Sequence, residues 1–341
     1  MPLPTRAGSL SRPSPRPGHS VTDLAPAAPL PPAPGPSPEE AIRLVREAIQ
    51  RRERWAGADH PVRLFDRSAD GITRLVIERY GTALRASGSP DRARLLPAIR
   101  EALGNPRELF FRFGFETLGG PEGDDGVRRV REDGLEYEVQ LLPHRNTGLF
   151  LEAQPARAWV RANASGRRIL NLFAYTCAFG VAAAAGGARS TVNVDAVPTV
   201  LARGRRNYEL NRAAFDTRCF WEEDVLDALK RSRRSKAAFE GLILHPPPVA
   251  TGGTRGRRTD PRDLARLAQG SRAVLAPGAW LLVPYSPEAL TRDEVIEAVG
   301  LGAPTWEAPP RDDFGDTPGQ PAPRALAFAG GARTLPRTGG G

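Results

Sequence analysis

Cysteine is nearly missing from this chain: Cys177 and Cys219 are the only two in 341 residues. That is too few for a disulfide framework or a cysteine-built zinc site. The four histidines, His19, His60, His144 and His245, show neither H-x-x-x-H nor H-x-E spacing, which argues against a metal centre. No apolar run approaches the roughly 20 residues of a membrane helix. The longest stretches, 170–187 and 273–285, are broken by glycine, proline or polar residues. A charged segment followed by an apolar one is absent from the start, so no secretory leader and a cytoplasmic location are expected. Lysine is scarce too. Of 48 basic residues, all but Lys230 and Lys236 are arginine, and the formal net charge is +9. Arginine suits bidentate phosphate contact and base stacking, so the bias fits a nucleic-acid partner. It fits equally a GC-rich genome that favours arginine codons.

What is present divides the chain unevenly. Residues 1–36 are rich in Pro, Ala, Ser and Gly ("LAPAAPLPPAPGPSP"), a composition that does not offset chain entropy by burial, so a disordered tail is expected. Ser37-Pro38-Glu39-Glu40 then carries a capping serine, a proline at the first helical position and a glutamate three after the cap. Ile42, Val45 and Ile49 follow at helical spacing. Strand patterns "PVRLFD", "TRLVIERYGTALRAS" and "RELFFRFG", a helix "DRARLLPAIREAL" and a hairpin about Asp133-Gly134 complete a small α/β module over 37–143. From 144 to 330 strands and helices alternate: "RRILNLF", "STVNVD", "TRCFWEED", "GLILH" and "AWLLVPY" are separated by helical segments. This rhythm predicts a doubly wound, mostly parallel α/β sheet. Residues 331–341 are expected to be a flexible tail.

In such a sheet the loop after the first strand and the acids ending the next ones mark a nucleoside site. That loop, from Asn171 to Gly180, lacks G-x-G-x-x-G, so the dinucleotide fingerprint fails. The small residues of "FGVAAAAGGA" let a helix pack close to the sheet and aim its N-terminus at an anionic ligand group. Asp195 is placed to accept both ribose hydroxyls, and Asp224 to receive an adenine amine. Singly each acid reads as a helix cap or a solvated loop residue; together, at successive strand ends, they read as a site. Farther on, "GLILHPPP" runs a buried strand into three prolines, which cannot continue a ladder and so form a rigid rim at His245. The loop "TGGTRGRRTD" sets Arg255, Arg257 and Arg258 beside that rim, either to hold phosphates or as a solvated loop.

The segments "HRNTGLFLEAQPAR", "ILNLFAYTCAFGVAAAAGGA", "VNVD", "GRRNYELN" and "GLILHPPP" together resemble the S-adenosylmethionine-dependent methyltransferases related to bacterial large-subunit rRNA cytosine-C5 methyltransferases. The likeness runs from about Pro61 to Ala329, and "RLFDRSADGITRLVIERYG" is similar to that family's central module. A PUA-type RNA-binding module is not recognised upstream. The resemblance implies a Rossmann-like methyltransferase sheet preceded by a small module with a possible RNA contact. It further implies S-adenosylmethionine as cofactor and RNA, rRNA foremost, as partner.

Carried over by position, it assigns Thr147, Gly148 and Phe150 to the methionine end of the cofactor. Asn171, Phe173, Tyr175 and Thr176 fall in the first motif, with Asp195 on the ribose and Asp224 on the adenine side. His245, Pro246 and Pro247 occupy the catalytic Asp-Pro-Pro position. Cys177 stands where many relatives carry glycine and reads as a small residue packed under the cofactor. Two departures stand out. Histidine replaces the motif's aspartate, whose carboxylate accepts from a base amino group, and Val249 stands where a phenylalanine is usual. The strand ending Tyr285-Ser286-Pro287 lacks the cysteine that attacks the pyrimidine ring in the C5 enzymes. The alternative is thus a lapsed relative that binds RNA or cofactor without transferring a methyl group.

Overall fold

In the computed structural model, helix α1 (Pro38–Arg51) begins where the cap pattern sets it, with the Ser37 hydroxyl accepting from the Glu40 N–H at 3.2 Å. The structure describes residues 35–52, 54, 60–115, 117–247, 260–315 and 324–330. Apart from Gly35 and Pro36, the expected N-terminal tail lies outside these residues. So do the C-terminal tail, Pro248, Val249 and the loop arginines Arg255, Arg257 and Arg258. All that follows concerns the compact unit Pro36–Gly341.

Strands β1 (Val62–Asp66), β2 (Leu75–Tyr80), β3 (Ala83–Gly88), β4 (Leu109–Phe113) and β5 (Thr117–Gly119) form a sheet in that spatial order. Only β3 and β4 run parallel, joined through a 3-10 turn (Pro90–Leu95) and helix α2 (Leu96–Ala102). The sequence pattern suggests one helix across this crossover. Pro97, which fixes φ and has no N–H, instead sits in the first turn of a shorter α-helix, and the residues before it stay 3-10. Helices α1 and α2 cover one face through a core that includes Val45, Phe65, Ile77, Leu95 and Ile99. The opposite face carries Arg63, Glu78 and Arg85 in register across three strands, and on β4 Arg112, opposite Ser87.

The hairpin at Asp133-Gly134 forms as expected, from β6 (Val127–Glu132) and β7 (Leu135–Gln140). It is a separate two-stranded sheet. Helix α3 (Gln154–Asn163) then leads into the alternating region of β8 (Arg168–Leu172), α4 (Ala178–Ala185), β9 (Ser190–Asp195) and α5 (Pro198–Leu210). The hairpin is tied to α5: the side-chain oxygens of Asn211 and Asn207 accept from the Glu136 and Glu138 N–H groups, both at 2.8 Å. Next come β10 (Phe220–Glu222), α6 (Val225–Arg234), β11 (Phe239–Leu244), α7 (Pro261–Arg272), β12 (Leu275–Tyr285), α8 (Arg292–Val299), β13 (Trp306–Glu307) and β14 (Arg324–Ala329).

The seven strands lie in the order β10-β9-β8-β11-β12-β14-β13. The first five are parallel, whereas β14 runs antiparallel to both β12 and β13. From β8 the chain winds outward through β9 to β10, then returns to place β11 on the other side of β8. That reversal falls between β8 and β11, and open α/β sheets bind ligands at the carboxyl ends of the strands at such a point. No helix among the described residues is long and apolar enough to cross a membrane.

Candidate cofactor and acceptor site

The loop leaving β8 has an unusual backbone. Phe173, Tyr175 and Cys177 have φ of 56°, 50° and 60°, a left-handed region that non-glycine residues seldom enter. Alternation of this kind turns successive N–H groups toward one side. Surrounding bonds hold it in place. The Ala174 N–H donates to the Val194 carbonyl at 2.9 Å, Tyr175 N–H to Asp195 Oδ2 at 2.9 Å, and Cys177 N–H to the Ala174 carbonyl at 2.7 Å. From α5, the Asn207 amide donates to the Thr176 carbonyl at 2.9 Å. Gly204 brings α5 so close that a Cβ there would overlap Cys177 Sγ. Burial pushes the Cys177 thiol well above its usual range, so it packs and does not react.

Asp195 ends β9 beside this loop. Its carboxylate accepts backbone N–H groups, Oδ2 from Tyr175 at 2.9 Å and Oδ1 from Val197 at 3.0 Å, and the Ala196 N–H also favours its charge. An ionised carboxylate offers about four acceptor positions, so room remains for a hydroxyl donor. Partial burial raises its pKa, against those N–H bonds. The other first-motif and acid positions scatter. Asn171 is buried and donates to Asn193 Oδ1 at 2.9 Å, within a network that runs on through the Asn193 amide to the Tyr208 hydroxyl at 3.1 Å. Phe173 packs against the hydrophobic core. Asp224 is exposed and caps α6, accepting from the Leu226 N–H at 2.8 Å.

Against this loop runs a strap, 143–150. The Thr176 hydroxyl donates to the Gly148 carbonyl, and the Tyr175 hydroxyl to the Asn146 carbonyl at 3.4 Å. The Arg203 guanidinium donates to the Thr147 carbonyl at 2.9 Å. The Thr147 hydroxyl lies 3.1 Å from that of Tyr80, on β2. Gly148 has φ of 112°, and a Cβ there would overlap Arg203, so this position admits only glycine. Thr147, Gly148, Tyr175, Thr176 and Asp195 thus form one bonded unit.

His245 follows β11 directly, next to buried Pro246 and half-buried Pro247. Its ring meets Phe150 at 5.6 Å and 71°, and Phe179 at 5.9 Å and 87°, both edge-on. Phe150 in turn lies 5.4 Å from the Tyr175 ring. Desolvation, helped by the nearby Arg157 cation, pushes the His245 pKa down to about 4, so the imidazole is neutral at pH 7. A neutral ring does not repel a cationic sulfur beside it.

Phe179 and Arg157 were not singled out from the sequence. Arg157 forks onto both Glu132 oxygens at 2.7 Å and donates to the Phe150 carbonyl at 2.9 Å. Both residues sit inside conspicuous segments, "AYTCAFG" and "QPAR", but only the folded sheet brings them to His245. Cys219 precedes β10 at the amino end of an edge strand, whereas the site lies at the carboxyl ends.

A reversed parallel sheet of this order, with a tight loop and a carboxylate at adjoining strand ends, defines a Rossmann-like nucleoside-binding protein of the methyltransferase type. The chain belongs to the S-adenosylmethionine-dependent methyltransferase family, whose model matches residues 120–319. It is 37% identical over 171 residues to the ribosomal RNA large subunit methyltransferase K/L of Hahella chejuensis, covering 50% of this chain and 23% of that protein. To a ribosomal RNA large subunit methyltransferase of Deinococcus radiodurans it is 28% identical over 256 residues, 70% of this chain and 62% of the relative. The chain thus spans less than two thirds of either relative. Among solved structures, SMU.776, described as a methyltransferase and complexed with SAH, superposes with a TM-score of 0.77 at 22% identity, covering 87% of this chain and 82% of that one. The family's cofactor is S-adenosylmethionine, and the spare acceptor position of Asp195 and the uncharged aromatic wall suit a nucleoside that carries a cationic sulfur.

Proposed function

We propose that this protein methylates RNA, with ribosomal RNA as the target class, by direct attack of a base heteroatom on the methyl group. The observation that carries the reading is the placement of His245 and Pro246 at the end of β11, facing the Thr147–Phe150 strap across the switch point. S-adenosylmethionine, when bound, supplies a methyl group on a sulfonium. Asp195 would hold the ribose, and Thr147, Gly148, Phe150, Tyr175 and Thr176 would wall the methionine end. The neutral His245 ring offers one acceptor and one donor nitrogen. Together with the Pro246 carbonyl it would orient the acceptor base for in-line approach, so that positioning does most of the work. Neither thiol suits the covalent route to C5: Cys177 is sealed under the loop and Cys219 lies at the opposite strand end. Support for RNA comes from the names of the relatives and from the arginine-dominated charge of +9. The place of action would be the cytoplasm, and the module over 37–143 would add an RNA contact.

Methyl-labelled cofactor incubated with ribosomal RNA tests this. We expect incorporation into RNA, and at least tenfold weaker cofactor binding in Asp195→Ala. Equal binding by that variant and the wild type would overturn the site assignment. The lapsed-enzyme reading draws on the missing aspartate, since histidine supplies one acceptor where a carboxylate supplies several. His245→Asp separates the two: transfer seen only in that variant would identify a cofactor binder that has lost catalysis.

A further inference from the structure

We propose that the uncovered end of the small module's arginine-bearing face is a docking site for an unpaired RNA nucleotide a few positions from the one that is methylated; this rests on RNA being the acceptor. Residues opposite one another in a sheet share a face. Arg85 pairs across from Glu78, Ser87 from Arg112, and Arg112 from Leu118, so all of these lie on the face turned away from α1 and α2. Its β2–β3 side is covered by the strap. Arg85 donates to the carbonyls of Leu141, His144 and Arg145 at 3.1, 3.0 and 2.9 Å, and Tyr80 reaches Thr147. Phe110 on β4, opposite Arg85, is still buried, but at Arg112 and Leu118 the cover thins. Arg112 donates to the Pro143 carbonyl at 3.1 Å and lays its guanidinium 5.0 Å from the centre of the Phe115 ring. Phe115 is 88% exposed, the most exposed large apolar side chain among the described residues, and Leu118 is also exposed.

Among the described residues, the charges that bear on Arg112 are cations. Burial lowers the Arg112 pKa, and the neighbouring Arg85 and Arg145 cations lower it further. Neither Arg112 nor Arg145 has an ion pair among the described residues, and His144, Arg145 and Asn146 are all exposed. An exposed aromatic ring with a guanidinium laid against it, and a second, exposed arginine near that guanidinium, matches a base to be stacked and a phosphate to be held. Arg145 and Phe150 are five residues apart along the strap, at most roughly 18 Å, and Phe150 touches His245, so a strand that follows the strap from Arg145 comes to His245 within a few nucleotides.

The test measures binding of a single-stranded ribosomal RNA fragment by fluorescence anisotropy, for wild type, Phe115→Ala, Phe115→Trp and Arg145→Gln, alongside calorimetric titration with S-adenosylmethionine. We expect Phe115→Ala to bind RNA about tenfold more weakly and Phe115→Trp to match wild type. Arg145→Gln should lower the salt dependence by about one phosphate contact. Cofactor affinity should be unchanged throughout, which shows that the fold is intact. If wild type binds RNA and Phe115→Ala binds it equally, the docking site is overturned while the proposed function stands. If wild type binds no RNA, the proposed acceptor fails and this inference falls with it.

Discussion

At position 245 the fold sets an imidazole between two phenylalanine edges, near a guanidinium, and both surroundings act against its proton. The consequence for stability has a definite sign. In the unfolded chain this histidine protonates near its ordinary value of 6.5, whereas in the folded protein it does so only near 4. Between those values the unfolded state binds the extra proton, so stability falls as pH drops through the window. The full penalty, about 3 kcal/mol at the acid end, is an upper figure for one group. His245→Asn keeps an acceptor and does not titrate. Urea midpoints at pH 7 and pH 4.5 should therefore show the variant gaining on wild type by 1–3 kcal/mol as pH falls, an order-of-magnitude range of about that size. A difference that stays constant would mean that the ring takes up its proton as freely in the folded protein.

At the scale of elements, the decisive contact is α5 against the loop after β8. Three left-handed non-glycine residues are tolerable because Asn207, Gly204 and Asp195 close around them. Gly204→Ala puts a methyl group into Cys177 and against the Thr176 backbone, and overpacking of this kind costs about 1–3 kcal/mol. Because the pushed loop also carries the Tyr175 bond to Asp195, cofactor affinity should drop with stability. In a Cys177→Ala background the added methyl finds space, so the cost of Gly204→Ala should shrink. Additive losses in that double-mutant cycle would show that the two sites do not meet.

The same comparison shows what local sequence does and does not carry. The run from β8 through Asp195 to the prolines after β11 was readable because period, capping and proline punctuation are properties of neighbouring residues. Even the capping alternative for Asp224 was visible, and capping is the role it has in the fold. Asn171 offered no such clue. Its burial follows from a partner on β9, and sheet order decides which strands are neighbours. Phe179 and Arg157 reach His245 for the same reason. Strand β13, two residues long, has no alternation to detect, and alanine-rich β14 is a weak strand former.

For the molecule as a whole, the question is what joins the module to the methyltransferase sheet closely enough for the strap to keep its place. A buried pair near the end of β13 answers it. Arg311 forks onto Asp313 at 2.8 and 2.7 Å and donates to the carbonyls of Leu151 and Pro61 at 2.9 and 3.1 Å. Asp313 Oδ2 also accepts from the Arg63 N–H at 2.8 Å, and the Asp313 carbonyl from Arg52 Nε at 3.0 Å. One ion pair thus ties α1, β1, the turn after Phe150 and the β13 side of the large sheet. Asp313 is fully buried and Arg311 nearly so, hence removing one partner leaves an uncompensated charge in a dry place. Asp313→Ala should cost about 3–5 kcal/mol. The double replacement Arg311→Met with Asp313→Ala should cost less than the sum of the two single changes, because no orphan charge remains. Leu151 follows Phe150 directly, so loosening this tie should reach the aromatic wall around His245. Chemical denaturation followed by tryptophan fluorescence, paired with cofactor titration of each variant, measures both effects. Full stability loss in Asp313→Ala with undiminished cofactor affinity would show that the strap keeps its place without this tie, through its own bonds to Thr176, Arg203, Tyr80 and Arg85.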